Sequence, residues 1–537
     1  MTILDFKIPE KDGEFLCIPS PASIHQLIQS NKEKMKAHDF NMEMEDVHCF
    51  RKKVREKIIR FSINFTSELA VKFYLDDDTN TDTFILTGHQ PIFYHPGIIV
   101  KNLLLNKIGV GERAKAINLI VDTDNFKELS ANIPAYNNGI KKIKETLLSN
   151  PSHTPYEFAS APTWETFQLF AKKIEKHLSH PQFKNLYENF LKFVKAAGEE
   201  KRDFKNISHF MTFIRRRYEN EVESRYLEAP VSYICDMDEF LIFFISIAKN
   251  SERFAQIYNF HLERYRIGHK LRYPANPFPN LKMDGKRFEL PFWHFYNNKR
   301  NEVFVECNTD EIVILFDDYG DINFKINEIE KGIELIKKGN IKIRPKAISF
   351  TLFVRMFISD IFIHGVGGAK YDRITDEIIR DFYEVEPPEF ITASLTLFPS
   401  VTLKDENHLE KIKELEEKIR DMKYNPDRYI ESVQYPLPQE DRWKVRMNED
   451  TAVMLREKEY LLSLLKGAHE DRKDILLKLK KINDTIYQRV KTTVPLREEE
   501  LNILKRRQKE IEPIQMREYP YFLFSPYEIM KTISTGQ

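Results

Sequence analysis

The first residues of the sequence that could do chemistry are two histidines in a short polar segment. Thr87-Gly88-His89-Gln90-Pro91 is followed by His95-Pro96-Gly97. A histidine can transfer protons near neutral pH or donate hydrogen bonds to an anion. We therefore expect His89 and His95 to be catalytic and Gln90 to bind substrate. The alternative is a proline-braced turn whose side chains only satisfy neighbouring backbone groups.

A pair of carboxylates follows the next apolar run of the sequence. Asp122-Thr123-Asp124 comes directly after Ala116–Val121. Carboxylates that end a strand can hold a hydroxyl, an amine or a metal ion. We expect Asp122 and Asp124 to be catalytic, as substrate-orienting carboxylates, and we expect no metal. Acids two residues apart after a strand also occur as turn and helix-cap residues, and this alternative is left open.

A glycine cluster supplies the third candidate. Glycine is scarce, with 17 in the chain, yet three of them lie between positions 365 and 368. Backbone N–H groups in such a loop can approach a phosphate or carboxylate closely. The spacing matches neither the Walker A pattern nor GxGxxG, so nicotinamide or flavin binding is not supported, and a bound nucleotide is left open. The residues that we expect to bind substrate here are His364, Gly365, Gly367, Gly368 and Lys370, together with Lys101 and Arg344 elsewhere.

These three segments follow runs that are typical of buried strands. Residues 83–87 and 116–121 are short and apolar, with a predicted helix from Pro96 between them, which makes a βαβ unit and hence a parallel sheet. Residues 360–364 and 391–397 predict further strands, and Glu289 and Trp293 lie in a stretch that could line a pocket. Because ligands bind at the carboxyl ends of parallel strands, we expect the three segments to share one site.

The rest of the chain predicts helices around this sheet. Apolar residues recur at three- and four-residue steps near the C-terminus, which predicts an antiparallel coiled-coil hairpin or an amphipathic helix on the core. This seam consists of Leu461, Leu465, Ala468, Ile475, Leu479, Ile482 and Ile486. The predicted domains are 1–150, the first part of a Rossmann-like core; 151–300, a mainly helical insertion; 301–403, the second part of the core with the glycine loop; 404–515, the coiled coil; and 516–537, a return to the core.

Composition narrows the choice of function. The 537 residues carry 82 Lys and Arg against 82 Asp and Glu, so the formal net charge is zero. A balanced charge gives no general reason to bind nucleic acid or an anionic membrane. The longest apolar run, near Phe240–Ala248, is too short to span a bilayer. With four scattered cysteines and no signal-like N-terminus, we expect a cytoplasmic protein with reduced thiols.

The motifs, in this order, resemble the family of bacillithiol-synthesis cysteine-adding enzymes, BshC. The TGQQ-type motif and the stretch after it are similar to residues 87–91 and 95–101, and the acidic segment to residues 122–128. The later GGPGE-type loop is similar to residues 365–371. Three positions depart from the pattern: His89 replaces the first glutamine, the glycine pair is replaced around His95, and Lys370 replaces the acid.

The resemblance implies a Rossmann-like core with helical inserts and a coiled coil that mediates homodimerisation. It also implies an enzyme that joins cysteine to a glucosamine–malate conjugate. We therefore expect a BshC-like, ligase-type enzyme acting on a small polar substrate, derived from a sugar or an amino acid. Two alternatives stay open: a non-catalytic scaffold that assembles through its coiled coil, and a nucleotidyl-transfer enzyme.

Overall fold

The computed structural model describes most of the chain, and the described residues form two compact units. The first unit comprises residues 1–135, 142–401 and 516–537, and the second comprises 136–141 and 402–515. The described residues are 7–43, 45–69, 71, 82–199, 202–273, 276–307, 310–316, 319–401, 408–431, 445–446, 448–465, 471–491 and 494–535.

The strands and helices are numbered along the chain. The strands are β1 (Glu14–Ile18), β2 (Asn41–Met42), β3 (Glu45–Asp46), β4 (Phe84–His89), β5 (Lys115–Ile120), β6 (Glu128–Tyr136), β7 (Ile140–Ser149), β8 (Leu227–Pro230), β9 (Met283–Asp284), β10 (Arg287–Tyr296), β11 (Lys299–Cys307), β12 (Glu311–Phe316), β13 (Gly320–Lys325), β14 (Lys342–Pro345), β15 (Ile361–His364), β16 (Ile391–Thr396), β17 (Ile430–Glu431) and β18 (Val445–Arg446). The helices are α1 (Ile24–Lys36), α2 (Val47–Glu68), α3 (Pro96–Gly111), α4 (Trp164–Leu178), α5 (Lys184–Gly198), α6 (Ile207–Glu219), α7 (Val231–Cys235), α8 (Asp238–Lys249), α9 (Ser251–Gly268), α10 (Ile329–Lys338), α11 (Ala347–Phe357), α12 (Val366–Ile378), α13 (His408–Tyr424), α14 (Glu449–Leu465), α15 (Arg472–Val490), α16 (Val494–Ile511) and α17 (Pro526–Thr535).

The main sheet of the first unit has six strands in the order β1-β16-β15-β4-β5-β8. All neighbouring pairs are parallel except β1 with β16. This confirms the predicted α/β class with a parallel sheet. The carboxyl ends of β4, β5, β8, β15 and β16 therefore lie along one edge, where a parallel sheet exposes the loops that bind ligands.

The strands form where the sequence is continuously apolar. Ile85 and Leu86 of β4 and Ile117 and Leu119 of β5 are fully buried, as expected of parallel strands that are covered on both faces. Between them α3 begins at Pro96, whose missing N–H is no loss in a first helical turn. This βαβ unit is confirmed as the sequence predicts it.

Three strand elements were not predicted from the sequence. The stretch 151–300, predicted as a mainly helical insertion, contains β8, which is an edge strand of the main sheet. The polar N-terminal segment contributes β1 to the opposite edge. Residues after Asp124 form the hairpin β6–β7. Each of these strands is short or polar and is stabilised by pairing with another strand. Its local sequence pattern therefore does not predict it.

A second, antiparallel sheet packs against the same core in the order β13-β12-β11-β10-β14, with β9 beside β10. Helices α8 and α11 fill the space between the two sheets with aromatic rings. The Phe243 ring centre lies 5.8 Å from Phe292 of β10, and 5.2 Å from Phe353 of α11. This shared apolar core fixes the antiparallel sheet relative to the parallel one.

The second unit is helical. Its helix α14 packs on α15, and α13 packs on both α15 and α16. Most of the described seam is buried, because Ile475, Leu479, Ile482 and Ile486 belong to the core of this unit, while Leu465 is partly buried against it. Ala468 of the predicted seam lies outside the described residues.

No helix in the part of the chain that the structure describes is long and apolar enough to cross a membrane.

Candidate functional site

A cavity of about 400 Å³ lies at the carboxyl ends of the parallel strands, and we call it the carboxyl-edge cavity. Its floor is formed by the ends of β4 and β15 and the segment after β5. Its walls come from β10, β11 and the start of α11. The polar residues that line it are His89, Gln90, Thr123, Asp124, Tyr258, Glu289, Trp293, Arg300, Glu302, Lys346, Thr351 and His364.

His364 at the end of β15 is held by a carboxylate of the following helix. Its Nε2 donates to Asp372 Oδ2 over 2.8 Å, and Arg355 Nη1 donates to the same oxygen over 2.7 Å. Since the proton is on Nε2, the neutral ring carries a lone pair on Nδ1. The pair therefore has the arrangement of a histidine base that an aspartate orients.

Burial and charge set the protonation of this pair. Burial alone would raise the pKa of Asp372, but the Arg355 guanidinium and His364 outweigh it and hold the pKa well below its ordinary value. Burial lowers the pKa of His364, with Asp372 opposing the shift. At neutral pH the pair is a carboxylate beside a neutral imidazole.

At one position of the glycine cluster, packing explains why the residue is a glycine. A Cβ placed on Gly368 would lie 3.0 Å from Nδ1 of His364, whereas a Cβ on Gly367 would meet no atom within 4 Å. The imidazole has little room to shift, because its ring centre is 4.5 Å from that of Phe362 and 4.9 Å from that of Phe390. Gly368 thus leaves room for the His364 ring.

The structure places the glycine cluster at the start of a helix. Gly365 is the residue before α12, and Gly367 and Gly368 lie in its first turn, because the helix starts at Val366. Lys370 lies further along α12 and is half-buried. Neither Lys370 nor the three glycines line the carboxyl-edge cavity. Only Gly365 separates the end of β15 from the start of α12.

His89 presents a second neutral imidazole to the cavity. Its Nδ1 donates to the carbonyl oxygen of Gln90 over 3.2 Å, so the lone pair is on Nε2. Burial, with a smaller contribution from the charge of Lys101, lowers the pKa of His89 to about 3. The ring is therefore uncharged at neutral pH, and its Nε2 lone pair can accept a hydrogen bond.

Asp124 forms the centre of a polar cluster in the cavity wall. Its Oδ2 accepts from Gln90 Nε2 over 2.7 Å, and its Oδ1 accepts from Arg300 Nη2. Arg300 also donates to the carbonyl oxygen of Thr123 over 2.8 Å. The cluster joins β4, the segment after β5 and β11, and it exposes both signs of charge to the cavity.

A second charged pair lies on another wall. Lys346 Nζ pairs with the buried carboxylate of Glu289 and lies 4.3 Å from the ring centre of Trp293. Glu302 and several apolar side chains complete this wall. An aromatic ring beside a cation and a carboxylate is a suitable contact for a small polar ligand.

Lys101 lies just below this site and does not line the cavity. It is buried on α3, and its Nζ donates to the carbonyl oxygen of Gly88 over 2.9 Å. Burial lowers the pKa of Lys101 to about 7. Among the described residues no carboxylate pairs with the side-chain nitrogen of Lys101.

Two other predicted site residues have structural partners and do not line the cavity. His95 caps α3, where its Nδ1 accepts from Gly97 N over 3.1 Å. Asp122 is buried and accepts from the backbone N–H and the hydroxyl of Ser232 over 2.9 and 2.5 Å. Burial, with Glu157 nearby, raises the pKa of Asp122. His95 therefore stabilises the start of α3, and Asp122 joins the end of β5 to α7.

Arg344 is likewise a structural residue. Its guanidinium is buried between Glu157, over 2.7 Å, and Asp236, over 2.9 Å. All three groups are outside the lining of the cavity. The prediction that Arg344 binds substrate therefore has no support from its position, because its charge is already paired.

Of the predicted residues, the structure brings His89, Gln90, Asp124 and His364 to one cavity. Asp372 was not predicted as a site residue. Gly368 and Asp372 are four residues apart, a spacing that puts them on the same face of a helix and could have indicated Asp372. Arg300 and Lys346 had no such signal, because they reach the cavity from the antiparallel sheet and from the start of α11.

Within the described residues no group of three or more His, Cys, Asp or Glu side chains is placed to hold a metal ion. No protein-family model matches the chain, and no curated protein matches its sequence significantly.

Proposed function

We propose that the protein is a cytosolic enzyme that acts on a small polar substrate in the carboxyl-edge cavity. The observation that carries this proposal is the His364–Asp372 pair, whose imidazole opens onto a cavity at the carboxyl ends of the strands. A buried histidine that is only structural needs no such cavity beside it. A perturbed titratable pair in a cleft is a physical indicator of a functional site.

In this proposal His364 accepts a proton from the substrate at Nδ1. Asp372 keeps the Nε2–H tautomer and stabilises the imidazolium that results. His89 is a second acceptor, through Nε2. A base contributes about 100- to 10,000-fold to the rate of a proton-transfer step.

The charged groups of the walls suggest the class of substrate. Arg300 and Lys346 suit a carboxylate, while Asp124 and Glu289 suit an amine or hydroxyl. A molecule that carries both kinds of group, such as an amino acid or an amino-sugar conjugate, complements this mixture. The volume of about 400 Å³ is within the range of small-molecule sites.

The resemblance to the BshC family makes the proposal more specific: a Rossmann-like core that joins cysteine, or a similar amino acid, to an amino-sugar conjugate. In such a reaction a C–N bond forms as the amine attacks an acyl carbon. The leaving group departs from that carbon, and a base takes the N–H proton. In this proposal His364 takes the proton, with His89 as a second acceptor. The acyl group has to reach the cavity as an activated ester or anhydride, whose leaving group departs with the electron pair of the broken C–O bond.

The test combines binding with turnover in the full-length protein. We expect His89→Ala and Asp124→Asn to abolish binding of the substrate in a thermal-shift assay while leaving the unliganded melting temperature nearly unchanged. Turnover is followed by mass spectrometry, with cysteine and a glucosamine–malate conjugate as the first substrates. Unchanged ligand binding in both variants would contradict the assignment of the site.

We also propose that the helices of the second unit form a coiled coil that pairs two copies of the chain. Val453 and Tyr460 of α14 are 61% and 64% exposed, and their seven-residue spacing puts them on one helix face. We expect Val453→Glu with Tyr460→Glu to give a monomer in light scattering. Leu169→Glu, at an equally exposed position of α4, is the control. A wild-type monomer would contradict the dimer, and unchanged turnover in the monomer would remove the scaffold alternative.

A further inference from the structure

A second cavity, of about 530 Å³, lies at the opposite edge of the parallel sheet, and we call it the amino-edge cavity. It is lined by Phe84 at the start of β4, Lys115 at the start of β5 and Asp360 just before β15. Its other walls are the last turn of α1 and the first turns of α2. No part of the proposed reaction uses this edge.

The lining of the amino-edge cavity is strongly basic. Among the described residues it presents six Lys and Arg side chains against three carboxylates. This excess stands out in a chain whose formal net charge is zero. Within the described part of the chain, no carboxylate pairs with Lys32, Lys36, Arg51 or Lys52. Like charges gathered in this way repel one another unless an anion lies between them.

Arg51 is the most buried of these cations, with 6% of its surface exposed. Its guanidinium donates to the carbonyl oxygens of Met356 and Met35 over 3.0 and 3.1 Å, and to Nδ1 of His38 over 3.2 Å. All three partners are uncharged acceptors, because burial lowers the pKa of His38 to about 4. The hydrogen bonds fix the direction of the guanidinium, while the carboxylates of Asp360 and Asp46 act on its charge without a direct ion pair.

Arg55 and Lys115 extend the basic surface across the sheet edge. They lie 4.9 and 5.1 Å from the ring centre of Phe84. Asp360 orients Arg55 through a 2.8 Å ion pair, while its other oxygen accepts from the backbone N–H of Phe84 over 2.7 Å. Both oxygens of this carboxylate are therefore occupied, which holds Arg55 in place.

Lys32 is also held in position. Its Nζ donates to Thr83 Oγ1 over 2.6 Å, immediately before β4. The ammonium group keeps two further N–H donors for a ligand. With Arg55 and Lys115 it forms a set of cations that are oriented by the protein rather than extended into solvent.

We propose that the amino-edge cavity is a binding site for a small anion that carries a phosphoryl or pyrophosphoryl group. Arg51 supplies a fixed buried charge, Arg55 and Lys115 border the sheet edge, and Lys32 supplies free donors. A compact group with several acceptor oxygens matches such a cluster, because charge-assisted hydrogen bonds to phosphate are short and strong. The cavity is large enough to hold more than the phosphoryl group itself.

Titration calorimetry on the full-length protein with inorganic pyrophosphate, in the absence of divalent metal, tests this proposal. We expect saturable binding that weakens as the salt concentration rises from about 0.05 to 0.5 M. The double variant Lys32→Gln with Lys115→Gln should bind at least about tenfold more weakly, since each lysine contributes a charge-assisted contact. The charge-matched control is Lys192→Gln with Lys195→Gln, on exposed positions of α5.

Each remaining outcome would overturn the proposal. Pyrophosphate could fail to bind the wild type, or the control variant could lose as much affinity as the test variant. If citrate bound more tightly than pyrophosphate, the cavity would be a polycarboxylate site and the assignment to a phosphoryl group would be wrong. Without pyrophosphate, we expect Lys32→Gln with Lys115→Gln to turn over substrate as the wild type does. This result distinguishes the amino-edge cavity from the proposed catalytic site.

Discussion

The substitution Asp372→Asn tests the role of the carboxylate that holds His364. It keeps the shape of the side chain but removes the charge that both His364 and Arg355 contact. Removing one partner of a buried ion pair generally costs 3–5 kcal/mol. Arg355 retains Asp376, at 2.6 Å, so we expect a loss of about 2–3 kcal/mol in the free energy of unfolding, read from denaturant titration.

The effect on His364 should be larger than the effect on stability. A carboxylate can only accept, so it fixes the proton on Nε2 and leaves Nδ1 free to act as a base. An amide can also donate to Nε2, which would move the ring proton to Nδ1. We expect the ¹⁵N signals of His364 to shift towards the Nδ1–H tautomer, and turnover to fall by about 100- to 10,000-fold with little change in KM.

Asp376→Asn is the matched control. It removes the other carboxylate on Arg355 and should lower stability by a similar amount, yet Asp376 does not contact His364. In this variant the ¹⁵N signals of His364 and the turnover should resemble those of the wild type. If Asp372→Asn leaves the tautomer unchanged, or if both variants lose the same activity, Asp372 is only a structural partner of Arg355 and the reasoning is refuted.

Two further predictions use contacts of the same edge. Gly368→Ala should lower stability by about 1–3 kcal/mol and displace the ring of His364, while Gly367→Ala should be neutral or gain up to about 1 kcal/mol; equal denaturant midpoints would contradict this. His89 and His95, whose pKa burial lowers to about 3, stay neutral in the fold while the unfolded chain takes up protons below about pH 6.5. The free energy of unfolding should therefore be highest above that pH and fall by at most about 2 kcal/mol per ring between pH 7 and 5. Replacing both with Gln should flatten the pH dependence of the denaturant midpoint, and an unchanged slope would show that these rings do not cause it.

The parallel core was predictable because its signals are local. Ile85 and Leu86 lie in a short apolar run, and Pro96 marks the start of the following helix. Once β4 and β5 are parallel, their carboxyl ends must share an edge, so His89 and Asp124 were expected together. Strand β8 was missed because a short strand among helices takes its place from pairing with β5, which no local pattern records.

The rest of the site depends on contacts between distant segments. Arg300 reaches Asp124 from a hairpin of the antiparallel sheet, and the two residues are far apart in the sequence. The glycine cluster was interpreted as a ligand loop, and the structure shows that Gly368 makes room for a side chain. Asp122 and Arg344 were expected in the site, and the structure gives both of them structural partners. A charged residue at a strand end is as well suited to holding the strands together as to binding a ligand.

Blocking the carboxyl-edge cavity tests the central claim most directly. Ala347, an exposed residue of α11 that lines the cavity, can be replaced by Trp to fill it or by Ser to keep it open. The wild type and both variants are incubated with a metabolite extract, and bound molecules are identified by untargeted mass spectrometry. We predict that a small polar metabolite is retained by the wild type and by Ala347→Ser but lost in Ala347→Trp. Retention of the same metabolite by all three proteins would contradict the account.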